Sequence, residues 1–213
     1  MNKKRYEQKV DQKVEEFRVQ FRENIIPKSY NPHMHLGINL SIVVIVIIIH
    51  SYQLNNLSFV DFLFFPLMVL FGNIFVYFFH KYPLHRPNKF LTIGYKIHTL
   101  MHHHFFTDRA VIYKNAKDFY ILFFPILFVV IVNGIIFPLL GFFAKLYLPE
   151  FSNIINIIVL MSAVYLILYE LLHFISHLPK DHWILKCPPL KSQWKHHTAH
   201  HNLKYMSKYN FNI

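Results

Sequence analysis

Sixteen histidines occur in this chain of 213 residues, and ten of them fall into four spaced clusters. The clusters are His80/His85, His98/His102/His103, His173/His177 and His197/His200/His201, each at or just beyond the end of a long apolar segment. Imidazole is costly to bury without a partner and is a good ligand for divalent transition metals. Residues three or four apart on a helix share a face. That spacing pairs His98 with His102, His173 with His177, and His197 with His200 and His201. His80 and His85 are five apart, and Pro83 between them breaks the helix so that the chain can turn and bring both rings together. Ten rings exceed the need of one ion and supply about five ligands to each of two. The expectation is a two-metal, all-histidine site at one face of a bilayer.

Other site chemistries fit less well. No H-E-x-x-H motif is present, so a zinc protease of that type is unsupported. Glu170-Leu-Leu-His173 matches the E-x-x-H of carboxylate-bridged di-iron bundles, but that architecture needs a second such motif and two further glutamates. Glu170 shares a helical face with His173 and His177, so it is expected to orient an imidazole. Asp108 and Asp118 are candidates for the same task. The single cysteine, Cys187, excludes an internal disulfide and a cysteine zinc site. His33, His35 and His50 flank the first apolar stretch and suit an interfacial role. His104 and His196 lie off the face of their neighbours, and His182 follows a proline-containing turn.

The elements that must position these rings are apolar. Hydrophobic residues make up 54% of the chain, and glycine is scarce at 5. Four stretches stand out, over residues 36–54, 59–79, 119–148 and 154–175. A helix needs about 20 apolar residues to cross the hydrocarbon core, so the first is marginal and the third oversized. The first is no cleavable signal peptide, because a long polar segment precedes it and no small-residue cleavage site follows. The third holds Asn133-Gly134 at its middle and admits either one long helix or a hairpin. For the first and last pairs of histidine clusters to meet, it must cross an odd number of times. One helix, kinked around Pro125, Asn133-Gly134 and Pro138, satisfies this.

Lys and Arg number 8 up to His35, 7 over residues 81–117 and 6 after His177, leaving only Lys145 for the remaining connections. That bias predicts that both termini and all histidine clusters are cytoplasmic. A net charge of +11 would suggest nucleic acid in a soluble chain. Here the basic residues are segregated by apolar segments, which indicates topology and no nucleic-acid partner. Residues 1–35, with Val10, Val14, Phe17, Val19 and Phe21 among alternating charges, read as a cytoplasmic amphipathic helix that is solvated or lies on the membrane surface. The predicted fold is an all-α integral membrane protein: about four transmembrane helices over residues 36–213, with a cytoplasmic helical cap carrying the dimetal site.

The clusters resemble those of the fatty acid hydroxylase/sterol desaturase superfamily of membrane di-iron oxygenases. The stretches that carry the resemblance are His80-Lys-Tyr-Pro-Leu-His85, then His98-Thr-Leu-Met-His102-His103 followed by Phe105-Phe106-Thr107-Asp108, then Tyr169-Glu170-Leu-Leu-His173-Phe-Ile-Ser-His177-Leu-Pro, and His197-Thr-Ala-His200-His201-Asn202. It covers roughly residues 71–213. The resemblance implies two iron ions held by those ten histidines. It also implies hydroxylation or desaturation of a fatty-acyl, sterol or related lipid with O2 and two external electrons. Three departures stand out. The second cluster has one residue more than the family's common H-x-x-H-H, which opens a choice among His102, His103 and His104. No fused cytochrome domain precedes the first span, so the electron donor is expected to be a separate protein, a b-type cytochrome or ferredoxin-like. Similar chains continue past Tyr209-Asn210-Phe211-Asn212 with a further aromatic segment. Two other classes of function stay open at this point: a membrane haem cytochrome, and a non-catalytic metal-binding or transport protein. A zinc hydrolase is a third.

Overall fold

The structure, a computed structural model, describes residues 3–89, 91–209 and 212. It is all-helical, and among the described residues there is no β-strand, only an isolated bridge between Thr107 and Ala110. The helices are α1 (Lys3–Asn24), α2 (Pro32–Tyr52), α3 (Phe59–Phe79), α4 (Thr92–Tyr95), α5 (His103–Phe105), α6 (Phe119–Leu122), α7 (Ile126–Val129), α8 (Phe137–Tyr147), α9 (Ser152–Ser176) and α10 (Pro188–His200). Three π-helical turns interrupt them, over His80–Leu84, Lys96–His102 and Val130–Ile136. Among the described residues, four helical stretches are long and apolar enough to cross a membrane: Pro32–Tyr52, Phe59–Leu84, Ile126–Tyr147 and Pro149–Ser176.

The chain divides into two compact units, one of His33–Phe75 and Phe123–Leu171, the other of Met1–Pro32, Val76–Leu122 and Leu172–Ile213. The first holds most of each span. In α2 the buried residues His35, Asn39, Val43, Val46 and His50 recur every three or four positions and form one stripe. Val43 and Val46 pack with Val129, Val159 and Ala163. Ile45, Ile48, Phe62, Leu70 and Leu140 stay exposed. That inversion suits a chain whose solvent is lipid, where the β-branched run of α2 stays helical because every backbone polar group must be satisfied within its own segment. Close helix approach is secured by small residues. A Cβ on Gly72 would come within 2.6 Å of the Tyr165 ring, and one on Gly141 within 2.8 Å of Val159.

The third apolar stretch departs from the single kinked helix expected. It breaks between α6 and α7, because Pro125 cannot donate a backbone N–H and takes an extended conformation ahead of α7. Only Ile126–Tyr147 forms the span, of ordinary length, and Asn133-Gly134 falls in a π turn rather than a hairpin. Backbone groups freed by such a break must find partners. His35 Nε2 and Asn39 Nδ2 each donate to the Phe124 carbonyl at 2.9 Å, and Phe124 N–H donates to Glu170 Oε1 at 2.6 Å. This corrects the sequence reading of Glu170. Its carboxylate holds a broken helix end, and other groups orient the imidazoles.

The second unit carries all ten clustered histidines. Its core joins Phe21 and Ile26 of the N-terminal segment to Phe105, Phe106, Ile121 and Leu122, with a second cluster of Ile175, Leu178 and Leu185 beside Trp194 and Leu190. The helix α1 is thus no free surface helix. Asp11, Glu15, Arg18 and Arg22 lie on one face by their spacing. They meet Arg109 at 2.7 Å, Lys114 at 2.6 Å, a set of backbone carbonyls, and Asp118 at 2.7 Å, respectively.

Candidate metal centre

The ten histidines converge as two groups of five: His80, His85, His98, His103 and His200, and His102, His173, His177, His197 and His201. Within each group the candidate ligand atoms all lie within 4.8 Å of one another. Nine of the ten rings are buried, five of them with no exposed surface. His104 is exposed and its Nδ1 donates to the Thr99 carbonyl, so His102 and His103 are the pair brought inward.

Local helix geometry decides which ring joins which group. An α-helix brings residues four apart to one side, and a π turn, with its i→i+5 hydrogen bond, brings together residues five apart. His103 N–H reaches the His98 carbonyl across the π turn, and His98 and His103 both join the first group. His80 and His85, also five apart across a π turn, join it too, their rings stacked at 4.9 Å. His173/His177 and His197/His201, four apart on α-helix, make up most of the second. The expected pairing of His98 with His102 on one face is therefore corrected, since His102 points into the other group. Likewise His200 crosses from the α10 segment to the first.

Which nitrogens face inward follows from their partners. A carbonyl only accepts, so a ring nitrogen bonded to one must carry the proton. Nδ1–H of His102 donates to Ile121 O (3.0 Å), of His177 to Val111 O (2.6 Å), of His201 to Phe106 O (2.6 Å) and of His200 to Tyr209 O (2.7 Å). Thr99 Oγ1 donates to Leu84 O at 2.5 Å and so accepts from His85 Nδ1–H at 3.3 Å. Each of these five rings therefore presents an unprotonated Nε2. His85 Nε2 and His200 Nε2 face each other at 3.1 Å with no proton between them. His173 Nε2 lies 3.2 Å from both His102 Nε2 and His177 Nε2, and one N–H on His173 can serve only one of them. His197 repeats this with His177 at 3.1 Å and His201 at 3.0 Å.

Ring protonation does not relieve the crowding. Burial, with the neighbouring rings adding to it, holds His85 down to about 3. Burial brings His102 and His200 to about 4, against the pull of their carbonyl partners. His98, His103, His177, His197 and His201 are pushed well below their ordinary value, desolvation again the main cause. At neutral pH these rings are neutral bases, and the lone pairs of His85 and His200 point at one another. A cation between them is what such a donor set fits, and the protonation state is the one a metal requires.

The spacing also constrains coordination. Imidazole nitrogens about 2.1 Å from an ion lie about 3.0 Å apart at right angles and about 3.4 Å apart in a tetrahedron. Neighbouring Nε2 atoms in both groups lie 2.8–3.2 Å apart, from His80–His98 at the short end to His98–His103 at the long. Five donors with neighbours at this spacing exceed a tetrahedral set and suit an ion of higher coordination number.

No protein-family model, curated protein or solved structure matches this chain. The assignment of the centre therefore stands on its own geometry.

Of the acidic residues, Asp108 Oδ2 accepts from Asn202 Nδ2 at 2.7 Å while its N–H reaches the His201 carbonyl at 3.3 Å, tying the chain just after the last cluster. Asp118 is fully buried, pairs with Arg22, and accepts from Lys114 N–H. His50 Nδ1 meets Asn156 Oδ1 at 3.0 Å, and His182 caps the turn before Ile184. His196 is exposed. Sequence reasoning missed Arg18, Thr99 and the backbone carbonyls of Phe106, Val111, Ile121 and Tyr209. Backbone acceptors leave no trace in residue types. The 11-15-18-22 charge spacing on α1 was the one available signal for Arg18.

Proposed function

We propose that this chain is a membrane-bound non-haem di-iron oxidoreductase that hydroxylates or desaturates a C–H bond of a fatty-acyl, sterol or related lipid, using O2 and electrons from a separate donor protein. The observation that carries the reading is the pair of five-imidazole groups whose neighbouring Nε2 atoms, five of them unprotonated, face one another at about 3 Å. His80, His85, His98, His103 and His200 would hold one iron, and His102, His173, His177, His197 and His201 the other. Bound iron supplies redox chemistry able to activate O2 toward an unactivated C–H bond, which zinc does not. The chain contributes the rest. Backbone carbonyls fix the tautomer of four ligands and raise their basicity. Burial of the rings keeps bulk water from the centre. Right-angle donor spacing disfavours a closed tetrahedral zinc site, and the four apolar helices support a substrate delivered from the bilayer. The 21-to-1 division of basic residues in the sequence supports a cytoplasmic centre, within reach of a soluble or peripheral donor. Haem would use two of these rings as axial ligands and leave the remainder unexplained.

Metal analysis of the purified chain, combined with lipid product analysis under oxygen and under nitrogen, tests the proposal. About two iron per chain and an oxygen-dependent product are expected. His173→Ala is expected to lose the second iron and the product together. A zinc-loaded chain active without oxygen, or a Soret band, overturns it.

A further inference from the structure

We infer that Arg18 is a positioning residue for the second histidine group, so that docking of α1 and metal occupancy of that group are thermodynamically linked. The inference rests on the metal-centre reading above and extends it to the N-terminal helix.

Arg18 is 1% exposed, the most deeply buried cation described in the chain. Its guanidinium donates to the Phe105 carbonyl at 2.6 Å, to that of Ala110, and to that of Ile112 at 3.2 Å. It lies over the rings of Phe105 and Phe106, at 5.0 and 5.2 Å from their centroids. All three acceptors belong to residues 105–112. Two carbonyls of that same stretch, Phe106 and Val111, accept from Nδ1 of His201 and His177. Carbonyls 105, 110 and 112 thus serve the arginine, and carbonyls 106 and 111, interleaved with them, serve the metal-facing rings.

Partners that hold a ligand's far nitrogen set its orientation, and their loss costs metal affinity. Arg18 holds the partners. Of the other contacts of the same α1 face, Asp11–Arg109 and Glu15–Lys114 join half-exposed or exposed side chains and contribute little by themselves, and the buried Arg22–Asp118 pair ties α1 to the Lys114–Asp118 turn, outside residues 105–112. A lysine could keep the charge but not the fork that serves three carbonyls at once. In the first group, the Nδ1 partners of His85 and His200, the Thr99 hydroxyl and the Tyr209 carbonyl, lie outside residues 105–112, so the dependence is expected to be weaker there. Coupling free energies are reciprocal, so metal in the second group must in turn hold α1 in place.

The test uses the full chain in detergent, stripped of metal and titrated with cobalt(II). A His85→Ala background leaves the second group intact, and a His177→Ala background leaves the first. Arg18→Lys is expected to weaken cobalt binding about 10- to 100-fold in the first background and by less than about threefold in the second. The second background also controls for folding. In the chain with all ten histidines, cobalt is expected to slow hydrogen–deuterium exchange of α1, and Arg18→Lys to abolish that protection. Equal losses in both backgrounds, no loss in either, or α1 exchange indifferent to cobalt overturns the linkage. If the unaltered chain takes up no cobalt, the metal-centre reading falls and the linkage with it. A chain that binds two ions but ignores Arg18 removes the linkage alone.

Discussion

Acid should unfold the metal-free histidine unit well before it reaches ordinary carboxylate pKa values. The perturbation is a drop from pH 7.5 to pH 5 after chelation. An unfolded imidazole titrates near 6.5, whereas folded His85 stands at about 3 and His102 and His200 at about 4. Above 6.5 both states are neutral at these rings and stability does not depend on pH through them. Below it the unfolded chain takes up protons that the folded chain refuses, so stability falls as pH falls, until the folded values are reached. At pH 5 each of the three rings costs about 2 kcal/mol, or about 6 kcal/mol together. The five rings held well below 6.5 act in the same direction. Total stabilities of small domains are about 5–15 kcal/mol, so these terms suffice to unfold the unit. Both tryptophans, Trp183 and Trp194, lie in this unit, and Trp194 Nε1–H donates to the Leu178 carbonyl, which makes intrinsic fluorescence a local probe. Guanidinium unfolding followed by fluorescence should show a midpoint that collapses between pH 6.5 and 5. A midpoint that is flat over that interval would refute the account of neutral, desolvated rings. Adding metal should restore stability at neutral pH and lose that effect on acidification, because protons and metal compete for the same lone pairs.

Two further outcomes follow from the packing. Glu170→Gln keeps a carbonyl oxygen that can accept from Phe124 N–H, so metal content is expected to stay at the level of the unaltered chain; a fall in bound metal would return Glu170 to the role of orienting an imidazole. Gly72→Ala places a methyl group 2.6 Å from the Tyr165 ring and should destabilise the chain by about 1–3 kcal/mol, read as a lowered thermal midpoint in detergent. An unchanged midpoint would mean that α3 and α9 tolerate a wider spacing at this point.

Much of the fold is legible in the sequence, since its signals are one-dimensional. Apolar length marks the four helices that can span a membrane, and histidine spacing marks the ten rings that converge. The division of the rings was not legible. It depends on π turns at Lys96–His102 and His80–Leu84, and a helical wheel drawn with 3.6 residues per turn puts His98 beside His102 instead of His103. Glu170 was misread because sequence shows that a carboxylate shares a face with two histidines, but not that a helix break leaves the Phe124 amide in need of an acceptor. The N-terminal helix was correctly placed in sequence but assigned to solvent or membrane surface. Its partners, the carbonyls of Phe105, Ala110 and Ile112, are backbone atoms that any residues would present.

The two dipeptides His102-His103 and His200-His201 each send one ring to either group. Consecutive Cα atoms across a trans peptide are about 3.8 Å apart, a length no rotamer or domain motion alters. The two groups are therefore tied by two short covalent links, one from each half of the ligand sequence, with each ring aimed by its own rotamer. An insertion of one residue at either dipeptide would lengthen one of these two links and put it out of step with the other.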